Sequence, residues 1–221
     1  SYSDLEKEGC MKKLFTVFLL TSGLFLLGCS SSSIMINISE LEYPIDLKVI
    51  SKADWGWQPL ERVLPKHTIN KITIHHGGEE FAEDKDIIQY LRNLQSWSRS
   101  EKNWIDIPYH FMIDLKGNIY EARPLNFPGD TNTDYDVTGH VLICVVGNYE
   151  VQKLSDASLN SLVRLTAFLK QKYRVELKDI KGHKDYTTQT VCPGKDLYKY
   201  LEDGSFIKMV ESELNPPKEI I

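Results

Sequence analysis

The chain has 221 residues, 42% of them hydrophobic and 26% charged, so it can bury a core and is not a disordered protein. A formal net charge of −5 argues against a general polyanion binder, because proteins that neutralise phosphates carry a basic excess. Nucleic acid is therefore not an expected partner, and the length suits one domain with extras attached.

Residues 1–10, SYSDLEKEGC, read as an upstream extension without a role for Cys10. From Met11 the chain reads MKKLFTVFLLTSGLFLLGC: two lysines, an apolar run from Leu14 to Leu27, then small residues and a cysteine. That is the pattern of a secretory signal, too short and too punctuated for a membrane span of about 20 residues. Leu26-Leu27-Gly28-Cys29 resembles the lipobox of bacterial lipoproteins. The resemblance implies that residues 11–28 are removed and that Cys29 is lipidated. The protein would then be anchored to a membrane on the periplasmic side of the cell envelope, with Ser30 after the cysteine pointing to the outer membrane. Residues 29–48 are expected as lipidated cysteine and linker, with 34–48 extending the linker into an edge element, 49–215 as the compact domain, and 216–221 as a tail.

Within that domain, KITIHHGG is a strand ending at a glycine turn. In EDKDIIQYLRNLQSWSRS the apolar positions 87, 88, 91, 94 and 97 have the spacing of an amphipathic helix. IPYHFMIDLKGNIYEARP reads as a hairpin turning at Lys116-Gly117-Asn118. HVLICVVGNY has the continuous apolar character of a central strand covered on both faces. Ser155-Asp156 can cap a helix running to Tyr173, with Leu159, Leu162, Leu165, Phe168 and Leu169 on its buried side. LKDIKGHKD is a short strand and loop, and one or two helices close the chain. Strands and helices interleave, which predicts an α/β fold with a mixed central β-sheet flanked by helices.

Alternation along KITIHH puts His75 on the polar face with Lys71 and Thr73, and His76 on the core side with Ile72 and Ile74. His183 and Cys192 lie near the end of the chain in GHKDYTTQTVCPG. Two histidines and a thiolate make up the three-ligand count of a catalytic zinc site that keeps an open position. Two other readings of Cys192 stand beside this one: an inert buried thiol, or a disulfide to Cys144.

SKADWGWQP, ITIHHGG, DIPYHFMIDLKGNIYEARP, LICVVGNYE and GHKDYTTQTVCPG together resemble the zinc-dependent N-acetylmuramoyl-L-alanine amidases, the family of the peptidoglycan recognition proteins and the amidase-type phage lysozymes. The resemblance spans roughly residues 49–205. It implies a single domain of that fold, zinc held by His75, His183 and Cys192, and Tyr109 and Thr190 as catalytic residues. It further implies Arg123 along the substrate groove, beside which a plain surface salt bridge is an equally good reading of that residue. His76 is carried as a second substrate-binding candidate, although a structural histidine is the commoner outcome there. The implied reaction is hydrolysis of the amide joining N-acetylmuramic acid to L-alanine in peptidoglycan or muropeptides, with a zinc-bound water as nucleophile and a monomeric enzyme. Two departures from the family pattern stand out. The spacing from His183 to Cys192 is one residue longer than in many members, and Asp130 stands near where many carry a histidine.

Overall fold

The structure, a computed structural model, describes residues 41–216. Cys10, the expected leader at 11–28, Cys29, Ser30 and most of the expected tail lie outside the described residues. The packed body begins before Val49. Leu47 is buried, Leu41 and Tyr43 pack on the same core, and the Tyr43 phenol donates to Glu121 Oε1 at 2.6 Å. The apolar side chains of this stretch thus close the edge of the domain, and the part of the expected linker from residue 41 onward belongs to the fold.

Among the described residues six strands form one mixed sheet: β1 (Val49–Ile50), β2 (Lys71–His76), β3 (Phe111–Ile113), β4 (Ile119–Glu121), β5 (His140–Val145) and β6 (Ile180–Gly182), in the spatial order β1-β4-β3-β5-β2-β6. Only β3 and β4 pair antiparallel, as the two arms of the expected hairpin. Asp114 closes its turn by accepting from the backbone N–H of Lys116 and of Asn118 through Oδ1. Gly117 sits there at φ +80°, where a side chain is strained.

The two faces of the sheet are covered differently. Ile72, Ile74, Val141, Ile143 and Val145 point toward helices α3 (Asp156–Tyr173), α4 (Lys195–Glu202) and α5 (Ser205–Leu214), whose Leu162, Leu165, Leu197, Phe206 and Val210 complete the larger core. Ser155 caps α3 by accepting from Ser158 N–H, so that helix runs over the span expected of it. Each fully buried side chain of this kind stabilises the fold by roughly 1.5–3 kcal/mol. The opposite core joins Met112, Tyr120 and Cys144 to Trp55 of α1 (Lys52–Trp55) and Leu91 of α2 (Ile87–Ser100). Among the described residues that second core takes no side chain from β2 or β6. On that side β2 presents Thr73 and His75 instead.

Within the expected helical segment, α2 starts after Asp86, whose Oδ1 accepts from Ile88 and Gln89 N–H. Its buried stripe differs from the apolar periodicity: Trp97 is 42% exposed, whereas Gln95 and Ser98 are buried. Gln95 is drawn inward by partners the helix itself does not supply. Its amide accepts from Gln58 N–H at 3.0 Å and donates to Asp106 at 2.7 Å.

Candidate metal centre

Strands β2, β5 and β6 are parallel, so their carboxyl ends share one edge of the sheet, the edge where open α/β sheets bind ligands. His75 lies at the end of β2. Because Ile74 pairs with Gly182 in β6, the next residue of that chain, His183, comes alongside His75. The two imidazole rings are 4.5 Å apart between centroids.

Cys192 returns to this point through a closed loop. Lys184 N–H donates to Cys192 O at 2.8 Å, and Cys192 N–H donates to the Thr190 hydroxyl at 3.0 Å. The Cys192-Pro193 peptide is cis, and Gly194 follows at φ +86°. A Cβ on Gly194 would meet Tyr149 C at 2.5 Å, so the turn needs glycine for space as well as for conformation. Gly182 is needed for space alone on the other side, since a Cβ there would lie 2.9 Å from Pro193 Cδ.

Cys192 Sγ accepts from His76 N–H at 3.3 Å and stands 3.6 Å from His75 Nδ1. The ligand atoms of His75, His183 and Cys192 all lie within 4.8 Å of one another. Bonds of about 2.3 Å to sulfur and about 2.0–2.1 Å to nitrogen, at a tetrahedral angle, put the two donors roughly 3.6 Å apart, so this sulfur–nitrogen pair fits zinc. Cys144 and Cys192 are both free thiols, which removes the disulfide reading.

Burial sets the protonation of this cluster. It pushes the Cys192 thiol up to about 12, partly offset by the His76 N–H that favours the thiolate. His183 is lowered to about 4 by burial and by His76, and His75 is lowered well below the usual range by burial and by the neighbouring histidines. At neutral pH without metal the set is two neutral imidazoles and a protonated thiol.

The cluster is in the wall of a cleft of about 470 Å³ that also takes in Trp104, Tyr109, Asp130, Asn132, Gln189 and Thr190. The Tyr109 ring lies 5.1 Å from that of His75, and burial raises its phenol well above the usual range, so it remains a donor. His76 touches the cleft, but its Nδ1 is taken by Tyr149 N–H at 3.1 Å. His110 is structural, accepting from Leu142 N–H and bonded to Phe127 O.

Arg123, expected along the groove, is buried at 1% exposure. Its guanidinium donates to Ile107 O at 2.8 Å, Pro128 O at 2.6 Å and Asp106 O at 3.0 Å, and pairs with Asp130. A planar fork with this many fixed acceptors around it braces the loops behind the cleft and does not face a ligand. Thr133 and Tyr135, which the sequence reading passed over, bond the two histidines: Thr133 Oγ1 is 2.8 Å from His183 Nε2, and the Tyr135 phenol is 3.3 Å from His75 Nε2. Their only signal is the alternation Thr131, Thr133, Tyr135 ahead of β5, which many surface loops share.

A mixed six-stranded sheet carrying this histidine–histidine–cysteine set at its strand ends defines a domain of the peptidoglycan recognition protein and amidase type, as the sequence motifs implied. Residues 65–195 match the family described as N-acetylmuramoyl-L-alanine amidase, and the chain belongs to that family. It is 26% identical over 181 residues to peptidoglycan-recognition protein SD of Drosophila simulans, covering 76% of this chain and 92% of the relative. Peptidoglycan recognition protein 1 of Mus musculus is 26% identical over 162 residues, covering 70% and 86%. Among solved structures, wild-type Drosophila PGRP-LB superposes with a TM-score of 0.62 at 25% identity, covering 70% of this chain and 92% of that one. The N-acetylmuramoyl-L-alanine amidase LysC from Clostridium intestinale shares the fold with a TM-score of 0.59 at 23% identity, covering 72% and 97%.

Proposed function

We propose that the protein is a zinc-dependent N-acetylmuramoyl-L-alanine amidase that hydrolyses the amide between the lactyl group of N-acetylmuramic acid and L-alanine in peptidoglycan or muropeptides. The observation that carries this reading is the meeting of His75, His183 and Cys192 at a cleft, three donors that leave a fourth direction for water or substrate. Zinc bound there supplies a positive charge that polarises the scissile carbonyl and lowers the pKa of water toward about 7.

The residues around the cluster have definable tasks. Burial keeps the Tyr109 phenol protonated, and its place in the cleft wall beside His75 would let its O–H donate to the oxygen on which negative charge develops as the carbonyl becomes tetrahedral. The Thr190 oxygen is oriented by Cys192 N–H, which leaves its O–H to donate into the cleft. In the balanced reaction, water delivers its hydroxyl to the lactyl carbonyl and its proton to the departing amine. The products are a free lactyl carboxylate and a peptide beginning with L-alanine. Lipidation of Cys29 would hold this activity at the cell envelope, beside the polymer it cuts, with the protein acting as a monomer.

The test is incubation of the protein from Ser30 onward with purified sacculi, followed by mass spectrometry of the soluble products. Stem peptides beginning with L-alanine, lost on chelation and regained with zinc, are the expected result. Intact sacculi with protein bound to them would instead make this chain a non-cleaving binder.

A further inference from the structure

Both histidines of the cluster are held on their far side by one short loop, residues 130–135. Thr133 Oγ1 meets His183 Nε2 at 2.8 Å, and the Tyr135 phenol meets His75 Nε2 at 3.3 Å. Thr131 backs the first contact, its hydroxyl lying 2.8 Å from that of Thr133. The Tyr135 ring is fixed in turn between the His183 ring, 4.9 Å away, and the stacked ring of Tyr186 at 5.3 Å. The loop is tied at both ends. Asp130 pairs with buried Arg123, Asp134 N–H donates to Gln189 Oε1 at 3.0 Å, and Thr187 donates to Asp134 Oδ1 at 2.9 Å. The last two ties reach into the loop that carries Cys192.

We propose that residues 130–135 form the outer shell of the metal centre, with Thr133 and Tyr135 as positioning residues that hold His183 and His75 with Nδ1 free for the cation. The inference rests on the zinc reading above. A neutral imidazole carries one proton; a hydroxyl accepting at Nε2 keeps it there and leaves the Nδ1 lone pair exposed. The Thr133 hydroxyl can pass its own hydrogen onward to Thr131, so the His183 ring N–H finds an acceptor oxygen without a compensating charge. The resident groups are hydroxyls rather than the carboxylates often found behind zinc-bound histidines, so the site depends on their geometry and not on an added negative charge.

The test is the zinc affinity of the purified protein by competition with a chromophoric chelator, together with the visible spectrum of the cobalt-substituted form. Thr133→Val and Tyr135→Phe each remove one oxygen at nearly constant shape. Each is expected to weaken zinc by about tenfold or more and to shift the cobalt bands, while Thr133→Ser, which keeps the hydroxyl, stays within about twofold of wild type. Wild-type affinity and wild-type spectra in both Thr133→Val and Tyr135→Phe would overturn the proposal alone. A wild-type protein that takes up no zinc would overturn it together with the metal reading.

Discussion

Cys192 Sγ and His75 Nδ1 stand 3.6 Å apart although 117 residues separate them in the chain. The approach is made by two independent devices, the parallel register of β2 with β6 and the glycine-dependent turn at Gly194. Because each donor comes from a different element, their removal has separable consequences.

Replacing Cys192 by alanine should abolish zinc uptake and amidase activity together. Tyr109→Phe should retain zinc and lose roughly 10²–10³-fold in turnover, the usual effect of deleting one donor to a developing oxyanion. Zinc content by atomic absorption alongside peptide release from sacculi separates the two variants; equal zinc and equal turnover in both would defeat the assignment.

Zinc binding at pH 7 should release between about one and two protons per ion, one from the Cys192 thiol and a further fraction from a bound water whose pKa is lowered toward about 7. The Cys192 thiol, pushed up to about 12 by burial, is protonated before binding, whereas His183, at about 4, and His75 are already neutral. Calorimetric titration in buffers of different ionisation enthalpy reads the number directly. A value near zero would mean that the thiol is not a ligand.

The metal-free protein should lose stability as pH falls from 7 toward 5. His76, His140 and His183 are lowered to about 4 and His110 to about 3, all by burial. A depressed histidine takes up its proton in the unfolded chain near 6.5 but in the native state only near 4 or below. Between those values unfolding binds protons, so stability rises with pH, by up to about 1.4 kcal/mol per unit for each histidine. Urea midpoints on chelated protein at pH 7, 6 and 5 test the slope above the carboxylate range, and a flat profile would show the histidines to be solvated.

Arg123→Met should destabilise the fold by roughly 3–5 kcal/mol, since it strands Asp130 and removes the donors to three backbone carbonyls. Arg123→Lys should not rescue it, because an ammonium lacks the planar fork. Denaturant unfolding is the readout. Normal stability with weakened binding to sacculi would instead return Arg123 to the groove.

Gly194→Ala should cost roughly 2–3 kcal/mol, combining the strained φ of +86° with overlap against Tyr149 and Glu150 backbone. The turn carries Cys192, so zinc affinity should fall in the same variant. A stable Gly194→Ala protein with unchanged zinc affinity would show that the turn can relax.

Local rules made much of this protein legible. The caps and periodicity of α3, the β3–β4 hairpin and the buried β5 are properties of short windows, and the order of five motifs was enough to imply the family and to single out His75, His183 and Cys192, which the fold brings together. The side-chain alternation of β2 puts His75 and His76 on opposite faces, a geometric property of one extended strand, although both reach the cleft wall.

What only the tertiary structure decided are the choices made by partners distant in sequence. Trp97 carries the apolar periodicity of α2 yet lies exposed, because Gln95 finds Gln58 and Asp106 in the interior. Arg123 is a motif residue of no evident burial until the carbonyls of Asp106, Ile107 and Pro128 close around it. Thr133 and Tyr135 become neighbours of His183 and His75 only when loop 130–135 folds over the ends of β2 and β6. A sequence window records which side chains can donate, accept or be buried. Which of them do so depends on groups that only folding brings within about 3 Å.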